Sequence, residues 1–370
     1  MAITALERAR TDIVHLAHRG LGIREFSLAA GRAVRRLIPF DGMCLMTMDP
    51  ATLLPTGHVI ENGLPERSAP RLAEIELQGQ DFNRFTDLAR GDSPAASLSE
   101  ATGGDLERSQ RHRELRRPHG FEDELRAALR TETGTWGGIV LMREARRAHF
   151  DPAGVRHLAS LAGALAEGLR RAILHGAPST DGDEPGPGLL VLAEDNSIEL
   201  ADSAGSSWLL ELGHDGALGE QPPVVVHSVA DRARAGSLPA TARVRTRSGR
   251  WLVARGSILG GGDEARAAVI LEPAALPELA PLIADAFGLT PRERKITQLV
   301  AQGLSTSDIS RRLYLSTYTV QDHLKAIFEK ADVNSRGALV ARLFFEHYAP
   351  RLATGAQIGS DGWFAPALSA

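Results

Sequence analysis

Residues 289–305, LTPRERKITQLVAQGLS, followed by 308–340, DISRRLYLSTYTVQDHLKAIFEKADVNSRGALV, carry start and stop signals for consecutive short helices. Thr290 can cap the first, Pro291 fits the opening helical position, and Glu293 stands at the reciprocal position of a capping box. Ile296, Leu299 and Val300 recur at three- and four-residue spacing, giving one buried face, and Gly303 can adopt the left-handed conformation that ends a helix. Ser305 and Asp308 repeat the capping pattern for a shorter helix, in which Ile309 and Leu313 lie one turn apart and Arg311 and Arg312 are left free for solvent or phosphate. A third helix begins at Ser316. Its Val320, Leu324, Ile327 and Ala331 fall on one side at 3.6 residues per turn, opposite Tyr318, Asp322, Lys325 and Glu329, with Gln321 at the edge. Such a helix fits the major groove of B-DNA, where Gln pairs with adenine, Lys with guanine, and Asp accepts from cytosine.

The whole string resembles the LuxR-type helix-turn-helix family: the LTPRE opening, the glycine-ended first helix, the short second helix, the STYTVQDHLKAIF core and the SRGALV start of a fourth helix. The resemblance spans roughly sixty residues and implies that the third helix reads the groove while the fourth supports dimerisation. By position it assigns base contacts to Gln321, Asp322 and Lys325, and contacts near the DNA backbone to Thr317, Thr319, His323 and Lys330. Gln321 departs from the Lys or Arg of many relatives. The reading face is thereby nearly neutral, so affinity should lean on Arg311, Arg312, Lys330 and Arg336. Leu339, Val340, Leu343 and Phe344 form the apolar stripe on which two copies could close.

Charge supports a separate module. The chain is formally at −4, whereas residues 289–348 hold nine basic and six acidic residues, a surplus of three, leaving −7 elsewhere. A locally positive segment on an acidic chain suits phosphate neutralisation. Lys occurs only at 295, 325 and 330. Neither a Walker A loop nor the lysine of a phospho-receiver can therefore precede Lys295. The acidic run VLAEDN at 191–196 superficially resembles a receiver pocket, but Asp195 and Asn196 read as a hairpin turn.

Upstream, the Gly-, Pro- and acid-rich stretch HGAPSTDGDEPGPG at 175–188 reads as a linker between two sensory segments. Before it, a helix over 23–37 leads to strands in GMCLMTMD at 42 and LLPTGHVIEN at 53, then ELRAALRTETG at 124 and WGGIVLMRE at 136. The segment closes with a helix started by Asp151 and Pro152 that bears Val155, Leu158, Leu161, Leu165 and Leu169. Helix, antiparallel strands and a long closing helix define an α+β domain. Its order, above all WGGIVLMRE followed by FDPAGVRHLASLA, resembles a GAF domain and implies small-molecule sensing, dimerisation or both. The cyclic-nucleotide NKFDE signature is absent, and the lone Cys44 excludes an intrachain disulfide, a cysteine metal cluster and the cysteine chemistry of GAF-type methionine sulfoxide reductases.

After the linker, strand, turn, strand and short helices lead to TARVRTR, WLVARGSIL and AAVILEP, an order resembling a small PAS domain. Trp208 and Trp251 read as core residues or pocket walls, and His214 and His227 as solvated side chains in loop-like surroundings. RSQRHRELRRPHG at 108–120 reads as an amphipathic helix with a solvated arginine face; contact with an anionic ligand or the DNA module is the alternative.

The expected fold is multidomain α+β: a GAF-like domain over 1–175, a linker over 176–188, a PAS-like antiparallel-sheet domain over 189–274, a connecting helix over 275–288, an all-α four-helix LuxR-type domain over 289–350 and a flexible tail over 351–370. The connecting helix, LPELAPLIADAFG at 276–288, is apolar at Leu279, Leu282, Ile283 and Phe287. The expected function is that of a non-enzymatic, one-component bacterial transcriptional regulator acting as a homodimer on two half-sites of double-stranded promoter DNA, about one helical turn apart. A small-molecule effector, or RNA polymerase for an activator, would be further partners. The alternative is a signalling adaptor whose helix-turn-helix surface binds a protein. No metal or cofactor is expected. Charges among the first residues break any signal-peptide pattern, and no apolar run is long enough to span a bilayer, so a cytoplasmic protein is expected.

Overall fold

The computed structural model describes residues 4–345 apart from 79, 176–184, 215, 238, 261–265, 275–277, 279–286 and 332. The tail, most of the expected linker and Leu276, Leu279, Leu282 and Ile283 of the connecting helix lie outside the described residues. The chain divides into two compact units. One combines residues 1–176 with 183–274, and the other is built on 275–370.

The first unit opens with α1 (Ala5–Ala17), which Thr4 and Glu7 start with a reciprocal capping box, and α2 (Ile23–Leu37). Five strands follow: β1 (Gly42–Met48), β2 (Pro55–Glu61), β3 (Ala95–Ser97), β4 (Phe121–Thr131) and β5 (Gly134–Glu144). They form an antiparallel sheet in the order β2-β1-β5-β4-β3, so that the first and last strands pair at its centre. Between β2 and β3 lie α3 (Ala69–Gln78) and α4 (Phe85–Arg90), and α5 (Leu98–Ala101) follows β3. The 23-residue α6 (Pro152–Leu174) closes this half, with Asp151 capping it by accepting from the Gly154 amide at 2.7 Å.

Along β1 the pleat sends Met43 and Leu45 to one face, where they are fully buried, and Cys44 and Met46 to the other, where both keep some accessibility. The central glycines of β5 serve both faces. A Cβ at Gly137 would stand 2.5 Å from the Leu169 side chain of α6, and one at Gly138 would stand 2.3 Å from the Phe85 ring. Side chains at either position would push the covering elements off the sheet.

The second half repeats the strand order. Here β6 (Gly188–Leu192), β7 (Ile198–Ala201), β8 (Thr241–Arg245), β9 (Trp251–Leu259) and β10 (Arg266–Pro273) form the sheet β7-β6-β10-β9-β8. Asp195 and Asn196 lie in the β6–β7 hairpin, Asn196 at φ 63°, as a tight turn requires. One face packs against α7 (Ser203–Glu211) and α8 (Val224–Arg234), burying Trp208, Val226, Val229, Leu252 and Leu271. Trp208 is core, its Nε1 donating to the Gly186 carbonyl at 2.9 Å, whereas Trp251 is half-buried.

The two sheets share packing. Leu54, from the β1–β2 connection, is fully buried within the cluster formed by the second sheet and its helices, and Leu77 of α3 packs against that cluster. Beside it, Asp49 is 2% exposed and accepts from the Arg243 amide at 2.8 Å, from its Nε at 2.9 Å and from one Nη at 2.6 Å.

Two expectations are corrected. Residues 108–120 do not form one helix with a solvated arginine face; they make 3-10 turns at Leu106–Arg108 and Arg117–His119 around a π turn at His112–Arg116. Arg108, Arg113 and Arg117 are exposed, but Arg111 and Arg116 are buried at 1% and 4% exposure, because Glu124 on β4 faces them with no exposure at all. Arg111 Nε donates to Glu124 Oε1 and Arg116 Nε to Oε2, both at 2.8 Å, and Asp81 also pairs with Arg111. Burial alone would raise the Glu124 pKa; Arg111, Arg116 and Arg126 more than reverse this and hold its carboxyl well below the usual carboxylate range. His227 is the second correction. It lies in α8 at 3% exposure, 2.7 Å from Asp231, because helical spacing of Val225, Val226, Val229 and Ala230 overrides the β-branched run VVV. His214 is half-buried in the turn after α7.

Candidate nucleic-acid interface

The second unit's described helices are α9 (Pro291–Ala301), α10 (Thr306–Leu313), α11 (Thr317–Lys330) and α12 (Arg336–Phe345). Each start is set locally. Thr290 caps α9 in a reciprocal box with Glu293, Ser305 and Asp308 do the same for α10, and Ser316 Oγ accepts from the Thr319 amide at 3.0 Å to start α11. Gly303 follows α9 at φ 81°, and Tyr314 ends α10 in the left-handed region at φ 53°. A tyrosine held there costs on the order of 1 kcal/mol. The bend it makes sets the angle between α10 and α11.

Ile296, Leu299 and Val300 of α9, Ile309 of α10 and Val320, Leu324 and Ile327 of α11 are all buried, together with Ala331. Their burial fixes which face of α11 is left outside. Thr317, Tyr318, Gln321, Asp322, Lys325 and Glu329 are exposed there, with Thr319 and His323 half-buried beside them. Arg311 and Arg312 are exposed on α10, Arg311 paired with Asp308 one turn earlier. Tyr318, expected on the reading face, is 73% exposed there, and Tyr314, to which sequence reasoning gave no role, is 95% exposed beside it.

The other expected cations are engaged inside the module. Lys330 Nζ donates to Glu293 Oε2 at 2.7 Å and Oε1 at 3.0 Å, joining the end of α11 to the start of α9. Arg336 donates to the Leu304 carbonyl and is half-buried. Arg292, to which sequence reasoning gave no role, donates to the Leu313 carbonyl at 2.8 Å and so caps α10. Leu339 is 1% exposed, so it belongs to the module's own core and is removed from any surface stripe; Val340 is half-buried, and the side chains of Leu343 and Phe344 lie outside the described residues.

Burial raises the Glu293 pKa, but hydrogen bonds from Lys330 and the Thr290 amide outweigh it, and the carboxyl sits below its ordinary value. A lowered folded pKa contributes stability above the unfolded value of about 4.3, and this is lost as pH falls through the folded value. Lys330→Met should therefore cost roughly 1 kcal/mol at neutral pH, Lys330 being partly exposed, and the cost should shrink below about pH 4. Thermal unfolding of both proteins across pH 3–7 measures it; a difference constant with pH would refute the linkage.

The sequence profile of the bacterial regulatory proteins of the luxR family matches residues 288–343, the segment that forms these helices. A Mycobacterium tuberculosis protein described as an HTH-type transcriptional regulator is 48% identical over 52 residues, 14% of this chain and 6% of its own length. The nitrate/nitrite response regulator protein NarL of Escherichia coli K12 is 46% identical over 52 residues, 14% of this chain and 24% of its own. The spore germination protein GerE of Bacillus subtilis is 34% identical over 55 residues, 15% of this chain and 74% of its own. The chain thus spans only a small part of the larger regulators it matches. The first two of the matched proteins are described as regulators, the first of them as a transcriptional regulator. Among solved structures, Escherichia coli SdiA covers 91% of this chain and 96% of its own at 12% identity, with a TM-score of 0.31, too loose a likeness to inform residues 1–274. Through the segment at 288–343, this chain belongs to the luxR family of bacterial regulatory proteins.

Proposed function

We propose that the chain is a one-component transcriptional regulator of the bacterial cytoplasm, binding double-stranded promoter DNA through α11 as a homodimer. Residues 1–175 act as a GAF-like and 189–274 as a PAS-like receiver of a signal. The observation that carries the reading is the surface left outside by the packing of α11. Gln321, Asp322 and Lys325 share one exposed face, preceded by the Ser316 cap and flanked by the exposed Arg311 and Arg312 of α10. A helix N-terminus beside two arginines suits a phosphate, and the three polar side chains suit base edges. Lys330 and Arg336 hold the module together, so phosphate contact rests chiefly on Arg311, Arg312, Thr317 and Thr319. Described residues include no helix long and apolar enough to cross a membrane, which is compatible with a cytoplasmic place.

Lys325→Ala should lose on the order of 1–3 kcal/mol of discrimination at one base pair, with little change in affinity for unrelated sequence. Fluorescence anisotropy with a selected operator and its single-base variants reads this directly. Equal affinity for every sequence before and after the mutation would remove the base-reading role, and no affinity for promoter fragments would favour a protein-binding surface instead. Replacing Arg311 and Arg312 by Gln should reduce the salt slope of binding by about two.

A further inference from the structure

Between the outer face of β1–β2, helix α3 and helix α8 of the second half lies a cavity of about 140 Å³. Cys44, Met46, Leu72 and Val140 wall it on one side, and Val224 and Ser228 of α8 complete it on the other. Burial pushes the Cys44 thiol up to about 11, so it is neutral and part of an apolar wall. The exceptions to that apolarity include three arginines and one acid, namely Arg116, Arg126, Arg232 and Glu76.

Arg126 is 3% exposed. Its Nη atoms donate to the Asn83 carbonyl and to Glu76, both at 2.9 Å, and its guanidinium lies 4.0 Å from the Phe85 ring centre. Its Nε is buried without a hydrogen-bond partner. Arg116 spends one Nη on the sulfur of Met142 at 3.0 Å, a weak acceptor. Arg232 donates to the Thr52 carbonyl at 3.1 Å and has no carboxylate partner among the described residues; burial and then the nearby Arg90 lower its pKa. The lining arginines together with Arg111 number four, against Glu76, Asp81 and Glu124. Arg111, Arg116 and Arg126 balance the three acids where they meet, and the charge left over is that of the half-buried Arg232 on α8. The buried Arg126 Nε, a charged donor with no acceptor, favours an anion at that end of the cavity.

We propose that this cavity binds a small organic monocarboxylate whose carboxylate meets the Arg116–Arg126 end and whose aromatic or short aliphatic body fills the apolar part. A cavity of roughly 150 Å³ accepts one benzene ring, which sets the size of that body. Charge-assisted hydrogen bonds to guanidinium give preference for an acid over the alcohol of the same shape. Since α8 supplies part of the wall, an occupant touches both halves of the unit at once. Through that contact it can act as a signal.

The proposal rests on reading residues 1–274 as the sensing part, and its test uses no DNA, so its failure and a failure of DNA binding are separate results. Calorimetry and thermal unfolding of the full chain would be run with phenylacetate and hexanoate, with 2-phenylethanol and 2-phenylethylamine as neutral and cationic counterparts. Phenylacetate or hexanoate should bind and raise the unfolding temperature, and phenylacetate should bind at least about tenfold more tightly than 2-phenylethanol. Ala73→Phe, which fills the cavity without touching a charge, should abolish binding while the protein stays folded, and Arg126→Gln should remove the preference for the acid. No binding of either acid at millimolar concentration, equal binding of acid and alcohol, or acid binding unchanged in Ala73→Phe would each overturn it.

Discussion

Glu124→Gln should lower the free energy of unfolding by about 3–5 kcal/mol, the scale found when one member of a buried ion network is removed. The carboxylate is fully buried and answers Arg111 and Arg116 directly, with Arg126 adding its field. Gln keeps the shape and some acceptor capacity but leaves the arginine cluster one negative charge short in a place where water cannot compensate. The pH dependence has a definite sign. The folded-state pKa is lowered, so the stabilisation is complete above the ordinary carboxylate value near 4.3 and is lost only as pH falls through the much lower folded value. Urea denaturation should show the gap between wild type and Glu124→Gln at pH 7 persisting to about pH 4.5 and narrowing below it. A gap under 1 kcal/mol at pH 7 would mean that the network is relaxed by solvent.

Asp49→Ala should cost a similar amount, again about 3–5 kcal/mol. Asp49 receives three donors from Arg243, including its backbone amide, and is 2% exposed. Removing it strands the guanidinium between the two sheets, where its side chain is only 10% exposed. Limited proteolysis at neutral pH should then cut the 176–188 region and separate two fragments that remain associated after cleavage of the wild type. Fragments that separate equally easily in both proteins would show that apolar packing alone holds the halves.

Legibility followed the range of the interaction. Thr290, Ser305 and Ser316 could be read as helix starts because a cap satisfies amides only two or three residues away, and the α11 stripe because its period is local. Strands beginning at Gly42, Thr241 and Trp251 were legible for the same reason, pattern and turn chemistry lying close together in sequence. Arg111 and Arg116 were misread because the carboxylate that buries them belongs to another element, and a basic run looks solvated until its partner is known. His227 was read as solvated in loop-like surroundings because the packing that buries its helix comes from distant strands. Lys330 and Arg336 looked free for phosphate because Glu293 and the Leu304 carbonyl are 37 and 32 residues away. The cavity was invisible for a related reason: Cys44, Leu72 and Ser228 come from three separate stretches and share no spacing.

Leu54 leaves its own sheet to fill a place in the hydrophobic core of the other. Chimeras that exchange one of these two halves for a segment of another protein, spliced anywhere in 176–188, would carry a leucine with no socket or a socket with no leucine. Transplanting the pair together, as residues 1–274, avoids that defect. For recombination, whether in the laboratory or over evolutionary time, residues 1–274 travel best as one block.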